Sequence, residues 1–446
     1  MGRAFWRREL LENLLKKVQE ADKIYRLKGI YGKKKVRKMD IKVSIENTNL
    51  TIEELAEKKK AANNALDKLW SGNVEYTGWV QAPLKQDKEE LDYLLNVADI
   101  VKTEAELMVV IGVGGSYMGA KAAIEALPKY EDGIEVLFAG INFNSPYHKK
   151  IMDEMSRKET VLCVVSKSGN TMEVRAAFEI MKALMEEKYG SKEAAARRII
   201  TITDKTSGAL REETEEEGYV SFEIPEDVGG RYSVMTPAGL FPMAVAGIDI
   251  RAFIEGERAA ATSPDWDKDA TDYAIARHLM IEKGKHLETI ELYDARLEYL
   301  GEWMKQLYGE SEGKEGKGLF PVVFSFSTDL HSIGQFLQQG NQVFFETVVI
   351  VDQYDEELLI PAGPLAGRTL EELNRITVDS VIAAHKQADI PIIEIRIPKL
   401  DAYYYGQLIY FLQTTCAITG MLMGINPFDQ PGVEDYKSEI RKRLGQ

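Results

Sequence analysis

Hydroxyl side chains and one lysine cluster at a predicted strand-to-helix junction. Ser166, Lys167, Ser168 and Thr171 follow the apolar run 160–165, and a helical pattern begins directly after them. A helix N-terminus offers free backbone N–H groups and a favourable dipole to an anion. The spacing differs from that of a nucleotide-binding loop, so the segment predicts a cradle for a phosphate monoester. Ordinary N-capping is the alternative, and it explains one hydroxyl but not four polar side chains.

A glycine-rich loop lies earlier in the chain, where Gly112-Val113-Gly114-Gly115-Ser116 joins another predicted strand to a helix. Glycines let a ligand approach the backbone, and open α/β sheets bind ligands at this edge of their strands. A dinucleotide site is disfavoured because Tyr117 stands where its fingerprint requires glycine, and no acidic residue ends the next strand. A tight turn without any ligand would explain the loop equally well.

Arg231 and Glu310 could act on a reacting anion. Two glycines precede Arg231 and let the main chain aim its guanidinium at an oxyanion, although a salt-bridged surface arginine is the alternative. Glu310 follows Gly309, the predicted end of a helix. The negative end of the helix dipole, together with partial burial, would raise the pKa of this carboxyl towards that of a general base. An exposed loop glutamate is the alternative.

His331 is predicted to lie in the first turn of a helix over residues 328–338. The dipole there disfavours imidazolium, so a neutral, proton-carrying histidine and a core-facing structural histidine both fit. Near the C-terminus, the segment Asn426–Lys437 gathers Asn, Asp, Gln and Lys after a long apolar stretch and predicts a sugar-binding site.

Strands alternating with helices must position these residues, which predicts an α/β fold with parallel sheets. Strands are expected at 107–112, 136–140, 160–165, 199–203 and 220–224, and then at 287–293, 322–326, 344–351 and 392–397. We expect a basic helical extension over 1–39, a first domain with an N-terminal helical segment over 40–255, a second domain over 256–425, and an active-site segment with a C-terminal helix over 426–446. The apolar stretch 402–425 is interrupted by glutamines, threonines and glycines, so a buried helix is favoured over a membrane span.

The net charge of the chain indicates which kinds of molecule it is unsuited to bind. The 446-residue chain has a formal net charge of −15, which disfavours binding to nucleic acid or to anionic membranes. Residues 1–38 are the exception, with thirteen Lys and Arg against four Asp and Glu, and a basic amphipathic helix is predicted there. The pattern fits neither a secretory signal nor a transit peptide, so we expect a cytoplasmic protein. Cys163 and Cys416 sit in apolar runs, and no metal-binding motif is present.

Taken together, these segments resemble the phosphoglucose isomerase family of bacterial type. Gly229-Gly230-Arg231-Tyr232-Ser233 is similar to one signature of that family, and Phe428–Glu434 with Lys437 is similar to the other. The resemblance implies two tandem sugar-isomerase (SIS-type) three-layer αβα domains with parallel sheets. It also implies a homodimer with active sites at the interface, and interconversion of glucose 6-phosphate and fructose 6-phosphate in glycolysis and gluconeogenesis without a metal or cofactor.

The resemblance also implies roles for single residues. Glu310 would move a proton between C1 and C2, Arg231 would stabilise a cis-enediolate, and Lys437 with His331 would assist ring opening. His331 would come from the partner subunit, and Lys437 or Gln430 would contact the sugar oxygens. The substrate-binding residues implied in this way are Gly115, Ser116, Ser166, Lys167, Ser168, Thr171, Gly230 and Gln430.

Three other functions are alternatives to the isomerisation of glucose 6-phosphate. A non-catalytic sugar-phosphate sensor would keep the phosphate loop but would need neither Glu310 nor His331 nor Lys437. An isomerase of another hexose phosphate would share the phosphate cradle, because discrimination lies in hydroxyl contacts. A nucleotide-binding regulator is disfavoured by Tyr117.

Overall fold

The computed structural model of the protein describes residues 40–263 and 266–445. The basic helix and the 1–39 extension expected from the sequence lie outside these residues. Within them the strands are β1 (Lys42–Asn47), β2 (Leu107–Ile111), β3 (Glu135–Ala139), β4 (Thr160–Val165), β5 (Ile199–Thr203), β6 (Val220–Glu223), β7 (Leu287–Leu292), β8 (Phe320–Ser325), β9 (Phe344–Gln353) and β10 (Ile392–Lys399).

Ten α-helices lie in the first half of the described chain. They are α1 (Ile52–Trp70), α2 (Gly78–Lys85), α3 (Lys88–Glu104), α4 (Met118–Ala126), α5 (Ser145–Arg157), α6 (Met172–Tyr189), α7 (Lys192–Ala196), α8 (Ala209–Glu217), α9 (Pro237–Val245) and α10 (Ile250–Thr262). The later helices are α11 (Trp266–Glu282), α12 (Glu298–Glu312), α13 (Gly334–Gln339), α14 (Leu370–Gln387), α15 (Ala402–Leu422) and α16 (Val433–Leu444).

The first sheet is entirely parallel, in the order β3-β2-β4-β5-β6. Every residue of β2, β4 and β5 is buried, as expected where helices cover both faces of a sheet. Alternate residues of β2 enter two different cores: Val109 packs against α5 and α6, whereas Val110 faces α3, α4 and α9. The expected three-layer arrangement is confirmed for this half of the chain.

The second sheet has the order β1-β10-β9-β7-β8. Four of its strands are parallel, as expected, but β1 pairs antiparallel with β10 at one edge. Strand β1 was not predicted from the sequence. It belongs to the first half of the chain but completes the sheet of the second half. One face of this sheet packs into the same hydrophobic core as Val110 of the first sheet. Helices α13 and α14 cover the other face.

Helix α15 confirms the buried helix predicted after residue 401. Residues from Tyr405 to Gly420 are buried along its whole length, and α10, α11 and α12 pack around it. No helix in residues 40–263 or 266–445 is both long and apolar enough to cross a membrane. Both cysteines are buried and unpaired, as the apolar runs around them indicated.

Two helix boundaries differ from the sequence prediction. Helix α12 does not end at Gly309 but continues through Glu310 to Glu312 and is capped by Gly313. Residues 328–338 do not form one helix: a short 3₁₀ turn, Thr328–His331, precedes α13. The prediction that His331 lies in the first turn of an α-helix is therefore wrong, because no such helix begins there.

Candidate active site

A cavity of about 410 Å³ opens at the carboxyl edge of the first sheet. The loops that follow β2, β4 and β5 form its wall, as expected for an open parallel sheet. The structure brings together the five side-chain-bearing residues predicted to hold a phosphate, namely Ser116, Ser166, Lys167, Ser168 and Thr171.

The loop after β4 is folded by its own polar groups. Ser166 Oγ accepts a hydrogen bond from the backbone N–H of Gly169 (3.0 Å). Gly169 has a φ of +75°, and a Cβ there would lie 2.2 Å from the backbone nitrogen of Leu210, so only glycine fits this turn. Thr171 is the N-cap of α6 without a side-chain capping hydrogen bond. Its hydroxyl and the first N–H groups of α6 are therefore available to an anion.

Lys167 and Asp204 are the two charged residues on the cavity wall. Lys167 Nζ donates to the backbone carbonyl of Glu226 (2.9 Å), so the ammonium is held at the rim. Asp204 Oδ1 accepts from the backbone N–H groups of Thr206 and Ser207, both at 3.0 Å. These hydrogen bonds hold the pKa of Asp204 below its usual range, and the charge of Lys167 adds a smaller effect in the same direction. The Asp204 carboxylate thus stabilises the loop that follows β5.

The glycine-rich loop joins this cavity to the rest of the site. Gly115 packs directly on the Gly230 backbone, and a Cβ on Gly115 would lie 2.1 Å from the Gly230 carbonyl carbon. Next to it, a Cβ on Gly114 would meet Gln306 Nε2 at 3.0 Å. Because Ser116 of the same loop lines the cavity, one short segment contacts both the phosphate cradle and the elements that carry Arg231 and Glu310.

Arg231 is 2% exposed and lies in the 3₁₀ turn Gly230–Tyr232. Its Nε donates to Ser311 Oγ (2.7 Å) and its Nη1 to Gln430 Oε1 (2.6 Å). Its Nη2 donates to the backbone carbonyls of Pro427 (2.7 Å) and Asp429 (3.0 Å). Hydrogen bonds from all three nitrogens fix the plane of the guanidinium and leave one N–H of Nη1 for an oxyanion.

Glu310 lies beside that guanidinium, with its Oε2 3.5 Å from Arg231 Nη1. Its side chain is 34% exposed, so a ligand can reach it. Gln306, one helical turn earlier on α12, donates from Nε2 to Glu310 Oε1 (3.3 Å). Gln306 was not among the residues predicted from the sequence, although its spacing of four residues from Glu310 on a predicted helix was the available signal.

The segment after α15 is held by a second residue that the sequence analysis missed. Lys314 Nζ lies 2.7 Å from Asp429 Oδ1 and also donates to the backbone carbonyl of Asn426. Burial lowers the pKa of the Lys314 ammonium, against the opposing effect of Asp429. Lys314 and Arg231 together fix the path of the segment that carries Gln430.

His331 and Lys437 are placed differently. His331 is exposed at the end of the 3₁₀ turn that follows β8, the edge strand of the second sheet. Lys437 lies on the exposed helix α16, where its Nζ donates to Glu434 Oε1 (2.9 Å). This contact lowers the pKa of Glu434. Neither side chain contacts Arg231 or Glu310 within the described part of this single chain.

One group of described residues has metal-ligand chemistry: Glu291, Glu346 and His385, all buried, with ligand atoms within 4.8 Å of one another. His385 Nδ1 lies 2.8 Å from Glu346 Oε1. Burial and the neighbouring Glu346 raise the pKa of Glu291 well above its usual range. These three side chains form one buried group. It lies on the α14 face of the second sheet, away from the cavity.

Comparisons with known proteins identify relatives over most of the chain. The sequence model described as "Phosphoglucose isomerase" matches residues 97–349. The chain is 44% identical to the glucose-6-phosphate isomerase of Alkaliphilus metalliredigens, over 85% of this chain and 88% of that one. It is 42% identical to the enzyme of the same name from Bacillus thuringiensis, over 86% and 90% of the two chains.

Solved structures are also similar. A hypothetical protein of Thermus thermophilus superimposes with a TM-score of 0.84 at 28% identity, covering 91% of this chain and all of that one. A glucose-6-phosphate isomerase of Chlamydia trachomatis gives 0.78 at 19% identity, covering 92% and 89%. This second match confirms the expected sugar-isomerase fold. The sequence relatives go further, and on their evidence the chain belongs to the phosphoglucose isomerase family.

Proposed function

We propose that the protein interconverts glucose 6-phosphate and fructose 6-phosphate. The observation that carries the proposal is the contact between Arg231 and Glu310, a fixed buried cation beside a reachable carboxylate. An aldose–ketose isomerisation needs such a pair, because a base must remove a carbon-bound proton while a cation stabilises the oxyanion that forms. The names of the sequence relatives support the same reaction.

The phosphate group would occupy the cavity at the carboxyl edge of the first sheet. Ser116, Ser166, Ser168 and Thr171 would donate hydrogen bonds to it, and the N-terminus of α6 would add its dipole. Lys167 would contribute its charge from the rim. Binding at a non-reacting group orients the sugar and supports the chemical step. Gly115 and Gly230 have no side chains, and their backbones touch. They would therefore leave room for the sugar to extend from the cavity to Glu310.

Isomerisation then moves one proton between two carbons. After ring opening, Glu310 would take the proton from C2 of the aldose, and the electron pair would pass to the carbonyl oxygen, leaving a cis-enediolate. Arg231 would stabilise that charge, and Glu310 would return the proton to C1, giving the ketose once a proton has moved between the two oxygens. Gln306, which donates to Glu310 Oε1, would orient the base, and Gln430 would contact the sugar oxygens.

Ring opening would use the side chains of His331 and Lys437. We propose that the chain works in the cytoplasm as a homodimer, in which His331 of each subunit enters the site of its partner. The exposure of His331 at the edge of the second sheet supports this part of the proposal. Lys437 would act from the same subunit after a movement of α16, whose residues are all exposed or half-buried. Two domains over 40–255 and 256–425 would together form the site, and the segment 426–446 would add Gln430 and Lys437.

A coupled assay tests the reaction. Purified protein with fructose 6-phosphate and glucose-6-phosphate dehydrogenase should form NADPH, with or without EDTA. Mannose 6-phosphate and a denatured sample of the protein serve as controls. A rate no greater than that of the denatured sample would overturn the proposal and favour a sugar-phosphate sensor. A higher rate with another hexose phosphate would change the preferred substrate.

A further inference from the structure

Behind the candidate active site lies a second, fully buried arginine. Arg277 on α11 is 0% exposed, and both of its carboxylate partners, Glu288 on β7 and Glu312 on α12, are also 0% exposed. None of the three lines the phosphate cavity, and none is among the residues implied by the family resemblance. Burying three charged groups is unfavourable unless each is paired, so their arrangement calls for a physical reason.

Every N–H of the Arg277 guanidinium has a partner. Nε and Nη2 donate to Glu288 Oε2 at 2.9 and 2.6 Å. Nη1 donates to Glu312 Oε1 (2.5 Å) and to Thr419 Oγ1 (3.1 Å), and Nη2 also donates to Glu312 Oε2 (3.0 Å). These five bonds use all five donors of an arginine, a set that lysine cannot supply.

The position of Glu288 is itself fixed. Its Oε1 accepts from the hydroxyls of Tyr273 (3.0 Å) and Thr347 (2.7 Å). The Arg277 guanidinium also lies 4.0 Å from the centre of the Tyr308 ring, one helical turn before Glu312 on α12. Arg277 therefore connects a strand in the middle of the second sheet to the last turn of α12 through short, directional contacts.

That last turn is the element that presents the base. Glu310 and Glu312 are two residues apart, so their side chains leave the helix at roughly 200° to one another. Glu310 faces Arg231 in the candidate site, and Glu312 faces Arg277 in the core. Between them, Ser311 Oγ accepts from Arg231 Nε (2.7 Å). The rotation of this turn about the helix axis is thus held from both sides.

We infer that Arg277 is a positioning residue for the isomerisation: by holding Glu312, it fixes the last turn of α12 so that Glu310 lies against Arg231. This inference rests on the proposed function, since it gives Arg277 a role in the same reaction. A helix C-terminus normally frays, because its last carbonyls lack intrahelical partners. The Arg277–Glu312 contact removes this freedom where a small displacement of the base would slow the chemical step.

Glu312→Gln is the variant of choice. It keeps the shape of the side chain and leaves Arg277 paired with Glu288, whereas Arg277→Met would leave two buried carboxylates unpaired and is expected to lose the fold. Glu291→Gln is the matched control, because Glu291 is as buried as Glu312. It lies on the same strand as Glu288 but on the opposite face of the second sheet. Both variants are assayed well below their unfolding temperatures, with the dissociation constant of 6-phosphogluconate, a phosphosugar acid, measured by calorimetry.

We expect Glu312→Gln to lower kcat by about 10- to 100-fold, as a displaced base does, with binding of 6-phosphogluconate changed by less than about 3-fold because the phosphate grip lies on the first sheet. The control should keep kcat within about 2-fold of the unmodified protein. An unchanged kcat in Glu312→Gln overturns the inference. Equal losses in both variants, or a parallel loss of binding, overturn it as well, since general loosening then explains the effect. An unmodified protein without turnover would instead refute the proposed function.

Discussion

The candidate site has two halves that the single chain holds in very different ways. Arg231 is 2% exposed and is bonded to Ser311, Gln430 and two backbone carbonyls, with Glu310 beside it. His331 is exposed and Lys437 is half-buried, and within the described residues Lys437 Nζ bonds to a neighbouring side chain of its own helix. The groups proposed for proton transfer are thus pre-organised within one chain, whereas the groups proposed for ring opening are not.

The difference has a physical basis. A developing enediolate charge is stabilised best by dipoles and cations that need not reorganise, which favours a buried, fully bonded arginine. Ring opening requires groups that reach the sugar after it has entered, and exposed side chains on an edge turn and on a surface helix allow this. The comparison predicts that substitutions in the buried half lower kcat the most, and that the exposed half depends on a second subunit.

The largest effect is expected for Glu310→Gln. Loss of the base should lower kcat by about 10³-fold, within the range for general acid–base catalysis, while binding of 6-phosphogluconate is retained. Glu302→Gln is the matched control, because Glu302 lies on the same helix and its side chain is also 34% exposed. The coupled assay measures both. If Glu310→Gln kept most of its rate, Glu310 would not be the base and the buried half would lose its central role.

Arg231→Lys should have the next largest effect. A lysine keeps the charge but cannot hold Ser311, Gln430 and the two carbonyls at once, so the cation would no longer be fixed beside the enediolate. We expect kcat to fall by about 10²-fold, the loss typical of one removed oxyanion donor. Initial rates over a range of fructose 6-phosphate concentrations separate kcat from KM. A change confined to KM would mean that Arg231 binds the ground state only.

Mixing two inactive variants tests the exposed half. His331→Ala and Glu310→Gln subunits, unfolded together and refolded in equal amounts, should regain about a quarter of the unmodified activity if His331 crosses a two-fold interface. Half of the dimers would then be mixed, and each would contain one site with neither defect. The recovered rate is compared with that of each variant refolded alone. No recovery, in refolded protein that size-exclusion chromatography shows to be dimeric, would place His331 in the site of its own subunit.

The smallest effect on catalysis is expected for a buried carboxyl outside the site. Glu257 on α10 is 1% exposed, and neither of its carboxylate oxygens has a hydrogen-bond partner in the described parts of the chain. Burial raises the pKa of this carboxyl well above its usual range. The unfolded chain therefore loses this proton at a lower pH than the folded chain, and the stability of the folded state falls as pH rises.

Glu257→Gln should remove that dependence while leaving kcat within about 2-fold. Relative to the variant, the unmodified protein should lose about 1.4 kcal/mol of unfolding free energy per pH unit above the unfolded-state pKa of about 4.3. Urea unfolding at pH 5, 6 and 7 measures the difference. Parallel stability curves for the two proteins would show that Glu257 is not held neutral in the fold.

Much of the fold could be predicted because the buried parallel strands are short runs rich in apolar residues, nearly continuous in β2 and β4 and interrupted by glutamates in β7, β9 and β10. The strands after residue 106 were recognised in this way, within a few residues at each end. The polar loop after β4 was equally visible, since Ser166, Lys167, Ser168 and Thr171 are close in sequence and share one strand-to-helix junction. Strand β1 was missed because its residues are mostly half-buried and its partner β10 is about 350 residues away, so no local pattern marks it.

The sequence by itself determined the fold class, the polar loop that lines the cavity and the family, because each depends on residue types at short, regular spacing. Only the tertiary structure decided which candidates meet. Arg231 contacts Ser311 and Gln430, which are 80 and 199 residues further along the chain, while His331 is exposed and Lys437 is half-buried on a surface helix. The structure also showed that α12 extends through Glu310, where Arg231 on one side and Arg277 on the other hold its last turn. Such contacts arise from the packing of distant elements, and local propensity does not encode them.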